Sequence, residues 1–288
     1  MTTYPLYQVD AFTQTLFEGN PAAIVPLDVF LPDDILQSIA IENNLAETAF
    51  VVARTDGSYD LRWFTPSAEI DFCGHATIAT AHVLFEEHAQ NTPPQDPLVF
   101  HTQIGTLNVT RAQIGKAEKT TGKSGYVLHA PNYPCRPLAI DEYMIAAFGE
   151  DIRSASIANN IYLEFANAET VQNYTPLMVA ITHMLEKHSA SMPKPLGVSI
   201  MAPGNGKWAN YDFVSRHFCP LHGIPEDPVT GSAHSALAPF WAARLGKNQL
   251  TAFQCSPRGG LLHLHVYPDA VHIIGQAVSY LRGEITLP

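Results

Sequence analysis

PEDPVTGSAHSAL, residues 225–237, sets two carboxylates, two prolines and a glycine directly ahead of an apolar, alanine-rich run. The run reads as a buried helix, with Glu226 and Asp227 in the turn before it and Ser232 as its N-cap. First-turn N–H groups have no partners inside a helix, and the aligned peptide dipoles make that end electropositive. Such an end is either a plain capped terminus or a place built to hold an anion. The stretch alone leaves both readings open.

Outward from it, the first half of the chain carries an echo. DFCGHATIATAHVLF (71–85) and PVTGSAHSALAPFWAARL (228–245) each place a glycine and a polar residue before a helix rich in small apolar residues. Both follow strand-like segments, which suggests a duplicated α/β unit. Pro239 disagrees, because a proline inside the second helix removes a backbone donor and should kink it. Elsewhere YPLYQVDAF, AAIVPL, TAFVVAR and YDLRWFTP read as strands, and PDDILQSIAIENN as a helix with Ile35, Leu36 and Ile39 on one face. The second half repeats this alternation and ends in three strands, LLHLHVYP, AVHIIG and AVSYLRGEITL. The polar, lysine-rich GKAEKTTGKSG (115–125) is the clearest linker. The expected domains are 1–114, completed by 276–288, and 126–275.

Composition narrows the function classes. Of 288 residues, 46% are hydrophobic and 15% charged, which supports a large core. The net charge of −11, with only 16 Lys and Arg, argues against nucleic acid or an anionic membrane as partner. No stretch approaches the ~18 apolar residues of a membrane span, and no signal peptide is indicated. Cys73, Cys135, Cys219 and Cys255 are widely spaced, which suits free thiols in a reducing cytoplasm.

Four segments together resemble the phenazine-biosynthesis isomerase family, PhzF-like: VDAFTQTLFEGNPAAIV (9–25), NNLAETAFV (43–51), RWFTPSAEIDFCGHAT (62–77) and GIPEDPVTGSAH (223–234). They stand in the family's order and span nearly the whole chain. The resemblance implies the α+β diaminopimelate-epimerase-like fold: two pseudo-symmetric α/β domains, each a curved sheet around a central helix, with the active site between them. It also implies cofactor-independent isomerase chemistry on a small carboxylate-bearing substrate, and a homodimer.

Glu47, in NNLAETAFV, matches the family's proton shuttle. From the residues alone it reads as an exposed or capping glutamate. As a shuttle, its apolar neighbours Leu45, Ala49 and Phe50 would desolvate the carboxylate and raise its pKa toward the operating pH. His75 and Asp227 match the family's supporting residues at the two helix starts. Gly74 before His75 permits close backbone approach. Gly231 and Ser232 would offer N–H groups and a hydroxyl to a carboxylate. Asn20 and Pro21, in the GNP turn, are weaker candidates for lining the site, since the turn explains them nearly as well.

Cys73 carries a rival chemistry, because two cysteines face each other across the substrate in true diaminopimelate epimerases. Cys73 falls at the first such position, but the second aligns with Asp227. A racemase using Cys73, and a non-catalytic relative binding a small acid or a protein partner, are the alternatives. RHFCPLHG, with His217, Cys219 and His222, and HLHV, with His263 and His265, lack complete ligand sets, so no metal is expected. No dinucleotide or P-loop fingerprint is present.

Overall fold

The computed structural model describes residues 1–87, 95–113, 124–190, 192–194 and 196–287. Backbone contacts divide the chain into two compact units, Met1–Ala130 with His272–Pro288, and Pro131–Val271. The first break therefore falls at the last residue of a strand and not at 115–125. Residues 115–123 of the expected linker lie outside the described residues, and Ser124 and Gly125 open that strand. The second break falls at 271/272, four residues before the expected 275/276.

In the first unit β1 (Thr2–Ala11) pairs antiparallel with β2 (Asn20–Leu27), and β2 runs parallel to β3 (Glu47–Ala53). A parallel neighbour needs a crossover, and α1 (Asp33–Asn43) supplies it. Next, β3 pairs antiparallel with β4 (Tyr59–Phe64), which takes the short β5 (Glu69–Ile70) on the way to α2 (Gly74–His82). Helix α2 is the second crossover, returning the chain as β6 (Leu98–Thr102) parallel to β4. The antiparallel β7 (Gly105–Gln113) and β8 (Ser124–Pro131) follow.

The second unit repeats this order. It opens with β9 (Arg136–Leu138), α3 (Glu142–Phe148), β10 (Ser154–Ile157) and β11 (Ile161–Glu164). Helices α4 (Ala168–Asn173) and α5 (Met178–Ser189) cross to β12 (Val198–Pro203), parallel to β11. Strand β12 pairs antiparallel with β13 (Phe213–Cys219), which carries β14 (Ile224–Asp227) as β4 carries β5. Helix α6 (Gly231–Leu245) crosses to β15 (Gln249–Gln254), parallel to β13 and antiparallel to β16 (Gly260–Val266). The chain ends with β17 (Ala270–Gly275) and β18 (Ala277–Leu287), the latter antiparallel to β1 along its length.

The cores follow the apolar periodicities. Leu36, Ile39 and Ala40 of α1 pack with Val25, Leu27, Phe50 and Phe64. Ile181, Met184 and Leu185 recur at helical spacing on α5 and pack with Leu163, Val198 and Ile200. Each such aliphatic side chain contributes roughly 1.5–3 kcal/mol by leaving water. In α2 every residue from Gly74 to Ala81 is buried, as its all-round apolar character requires, and the helix then loosens into a π-helical turn, Val83–Glu87. Helix α6 runs through Pro239 to Leu245, and Ala233, Ala236, Leu237, Ala238 and Trp241 are buried. No helix among the described residues is long and apolar enough to cross a membrane.

Candidate active site

Three chain ends converge in the first unit. Parallel pairing of β2 with β3 sets Ala22 beside Glu47, so Asn20 and Glu47 lie at the same end of neighbouring strands. Helix α1 stops one turn earlier, where Asn44 takes a left-handed conformation (φ 49°) and its N–H closes on Ala40 O at 3.2 Å. That turn delivers the chain directly to Glu47. Helix α2 begins at the same place, with Cys73 as its N-cap, and no side chain caps it.

The convergence joins four polar side chains that the sequence singled out. Glu47, His75, Asn20 and Cys73 are all buried, with Glu47 only 6% exposed and not a surface residue. Glu47 Oε2 lies 3.0 Å from His75 Nε2. The contact is close but not aligned as a hydrogen bond, and neither atom has an aligned partner among the described residues. The other ring nitrogen, Nδ1, meets Asn20 Nδ2 at 3.0 Å and Cys73 Sγ at 3.4 Å. Burial disfavours charge on the His75 ring, but Cys73 and Glu47 on either side outweigh it and hold the imidazole above its ordinary pKa. The Cys73 thiol is pushed up to about 11, first by burial and then by the Glu47 carboxylate.

Glu47, Cys73 and His75 offer donor atoms within 4.8 Å of one another, the spacing of a metal site. However, Glu47 addresses Nε2 and Cys73 addresses Nδ1, on different edges of the ring. A tetrahedral ion needs its donors about 2.0–2.3 Å from one point, so either the ring or the carboxylate would have to turn. His217, Cys219 and His222 form no such compact group among the described residues.

The second unit holds a separate cluster at the start of α6. Asp227 ends β14, opposite His217 of β13, and is 5% exposed. Thr230 is the N-cap of α6, so the cap expected at Ser232 lies two residues earlier. Thr230 does not cap the helix with its side chain; its hydroxyl donates to Asp227 Oδ2 at 2.5 Å. Gly231 opens the helix, and Ser232, half-buried behind it, accepts at its carbonyl from Asn159 Nδ2 at 3.1 Å. Gln254 bonds to both ends of the turn. His217 donates to or accepts from Ser199 Oγ at 2.8 Å, and burial pushes it down to about 4, so it stays neutral. Pro21 is an ordinary strand position opposite Asp10, and Gly74 belongs to the first turn of α2. Thr230 and Gln254 carried no signal in the sequence. One reads as a turn residue, and the other lies 24 positions away.

With this geometry in hand, comparison with known proteins decides the family. The sequence profile of the phenazine biosynthesis-like proteins matches residues 9–283. The chain belongs to this family. An uncharacterised isomerase of Pseudomonas aeruginosa is 39% identical to this phenazine biosynthesis-like chain over 282 residues, 98% of each. A PhzF-family structure from Enterococcus faecalis has a TM-score of 0.84 at 41% identity, over 99% of this chain and 100% of that one. A predicted epimerase of P. aeruginosa shares the fold at 17% identity, with a TM-score of 0.75 over 99% and 100% of the two chains. The fold of this phenazine biosynthesis-like protein is thus the α+β, diaminopimelate-epimerase-like one.

Proposed function

We propose that the chain is an isomerase that moves a proton within a small carboxylate-bearing substrate, with Glu47 as the acid/base. The observation that carries this reading is the buried Glu47–His75 contact, 3.0 Å long and unaligned. The contact holds an acid/base pair away from bulk water, where a substrate that reaches it can exchange a proton with Glu47. As a carboxylate, Glu47 takes a proton from a carbon next to an electron-withdrawing group. The electron pair left on carbon delocalises toward the substrate carboxylate or a conjugated bond, and Glu47 returns the proton at another carbon. Charge and atoms balance with one base and no redox partner, so no cofactor takes part.

His75 faces Glu47 across the contact and polarises the substrate. Asp227 orients a substrate amine or hydroxyl, and Gly231 and Ser232 present N–H groups and a hydroxyl to its carboxylate. Asn20, Cys73 and Gly74 shape the surroundings of His75. The resemblance to the family supports a homodimer, and four free, widely spaced cysteines suit a reducing cytoplasm; sedimentation of the purified protein and fractionation of cells test those two points.

The test is solvent deuterium uptake. Wild-type protein, Glu47→Gln and Cys73→Ser are incubated in D₂O with a panel of small cyclic and acyclic amino and hydroxy acids. Uptake or rearrangement that survives Cys73→Ser and vanishes in Glu47→Gln is the expected result. Loss in Cys73→Ser with retention in Glu47→Gln would assign a thiol racemase. Binding of a panel member with no exchange would assign a small-acid binding protein.

A further inference from the structure

Gln254 is the last residue of β15 and is 1% exposed. Its backbone belongs to the sheet, opposite Ser215 on one side and Gly260 on the other. Its side chain does not pack into the core but straddles the turn between β14 and α6. The amide Nε2 donates to Asp227 O at 2.6 Å and reaches Thr230 Oγ1 at 3.2 Å, while Oε1 accepts from Thr230 N at 2.9 Å. Two residues on, Ser256 Oγ donates to Pro228 O at 2.8 Å. Three of the four residues from Asp227 to Thr230 (Asp227, Pro228 and Thr230) are therefore held by side chains from outside the turn.

This arrangement decides what Thr230 does. A threonine at an N-cap ordinarily turns its oxygen to the N–H two or three residues on, here Ser232 or Ala233. In this protein its hydroxyl serves Asp227 and Gln254 instead, and α6 carries no side-chain cap. A polar turn that forgoes its own cap gives up stability that an ordinary helix start would keep. The arrangement makes sense if those amides have another partner.

We propose that Gln254 is a positioning residue: its amide sets the β14–α6 turn so that Thr230 supports the Asp227 carboxylate and leaves the first amides of α6 open to a substrate carboxylate. This rests on the reading of α6 given above. Without the Gln254 amide, Asp227 O and Thr230 N lose their partner, and the turn relaxes to an ordinary capped terminus. Thr230 Oγ1 then accepts from Ser232 or Ala233 N–H and competes with the ligand.

The experiment follows the Ser232 and Ala233 amides of the full chain by NMR, measuring hydrogen exchange and the response to added acetate as the carboxylate probe. Gln254→Leu should slow exchange at one of these amides by about fivefold, the worth of one helix cap, and weaken acetate by a similar factor. Adding Thr230→Val to Gln254→Leu removes the competing oxygen and should restore both fast exchange and acetate binding, which a loss of packing would not do.

Should Gln254→Leu fail to fold, Gln254→Glu keeps the volume and the acceptor for Thr230 N. Ionised, it cannot donate to Asp227 O, so the added protection, measured against the intrinsic exchange rate at each pH, should appear at neutral pH and disappear once acid protonates the carboxyl. Exchange at Ser232 and Ala233 unaltered in these variants would overturn the proposal. If exchange responds as expected but acetate never shifts the wild-type amides, Gln254 still governs the helix end and the carboxylate reading of α6 is what fails.

Discussion

At the residue scale, Asn20 and Cys73 address one nitrogen of His75 and Glu47 addresses the other. Burial and the Glu47 carboxylate push the Cys73 thiol up to about 11, which works against its acting as a base or nucleophile. Cys73→Ser should therefore keep kcat within about tenfold of wild type, whereas His75→Asn should lower it by about 10²-fold, the usual worth of a positioned acid/base partner. Steady-state rates on the substrate found by deuterium uptake check both. Glu47 and His75 were singled out in the sequence by the resemblance of their compact local motifs to the family's, and the structure adds that they meet at 3.0 Å. Burial of Glu47 was not, since a glutamate between helix and strand is ordinarily exposed. It becomes buried because β2, β3 and α2 bring their starts together, which is a tertiary fact. Gln254 was invisible for the same reason, since its partners are made by the parallel pairing of β13 with β15.

At the scale of elements, buried polar side chains tie the strands and helix ends together. Arg216 on β13 makes two bonds to the Glu226 carboxylate on β14, Nε to Oε1 at 2.7 Å and Nη2 to Oε2 at 2.8 Å. Its Nη1 also donates to the carbonyl of Gln172, in the last turn of α4, at 3.2 Å and to that of Tyr174, just past the helix, at 2.6 Å. Arg216→Met strands the Glu226 carboxylate and those carbonyls together, so denaturant unfolding should show a loss of about 3–5 kcal/mol. Core truncation gives a second check on the central helix: Ile78→Ala in α2, at 0% exposure, should cost about 2–5 kcal/mol in the same assay. The longer helices were readable from period and length, whereas the six-residue α4 was not. Short strands such as β9, β10 and β14 were not, because three or four residues carry no measurable alternation. Nor was the position of the α6 cap, because Thr230 and Ser232 are equally good caps and the choice depends on Asp227 and Gln254.

At the scale of the whole molecule, the pairing order of the first unit recurs in the second: antiparallel, parallel, antiparallel, then parallel across the central helix. The duplication was legible from the two glycine-led helices, and the strand order was not. Burial is the chief cause that disfavours charge on His82 of the first unit, held below its ordinary pKa, and on His217 and His234 of the second, pushed down to about 4. The unfolded chain binds protons at these sites before the folded one does, so stability is full above the unfolded pKa of ~6.5 and falls as pH drops below it. His217 and His234 should each withdraw about 3 kcal/mol by pH 4. His75 has the opposite sign: its raised pKa contributes stability below ~6.5 that is lost as pH rises through the folded value. Denaturation midpoints taken from pH 7.5 to 5 should therefore fall, and His217→Gln should flatten that fall. An unchanged slope in the variant would refute the assignment.

The most direct test of the Glu47–His75 pair needs no substrate. The ring nitrogens of His75 can be titrated by NMR in the wild-type chain and in Glu47→Gln. The account predicts a wild-type pKa above 6.5 that drops in Glu47→Gln, where the carboxylate no longer adds to Cys73 in offsetting burial of the ring. A titration curve for His75 that is the same in both proteins would mean that the two groups share no proton, and would contradict the proposed chemistry at its root.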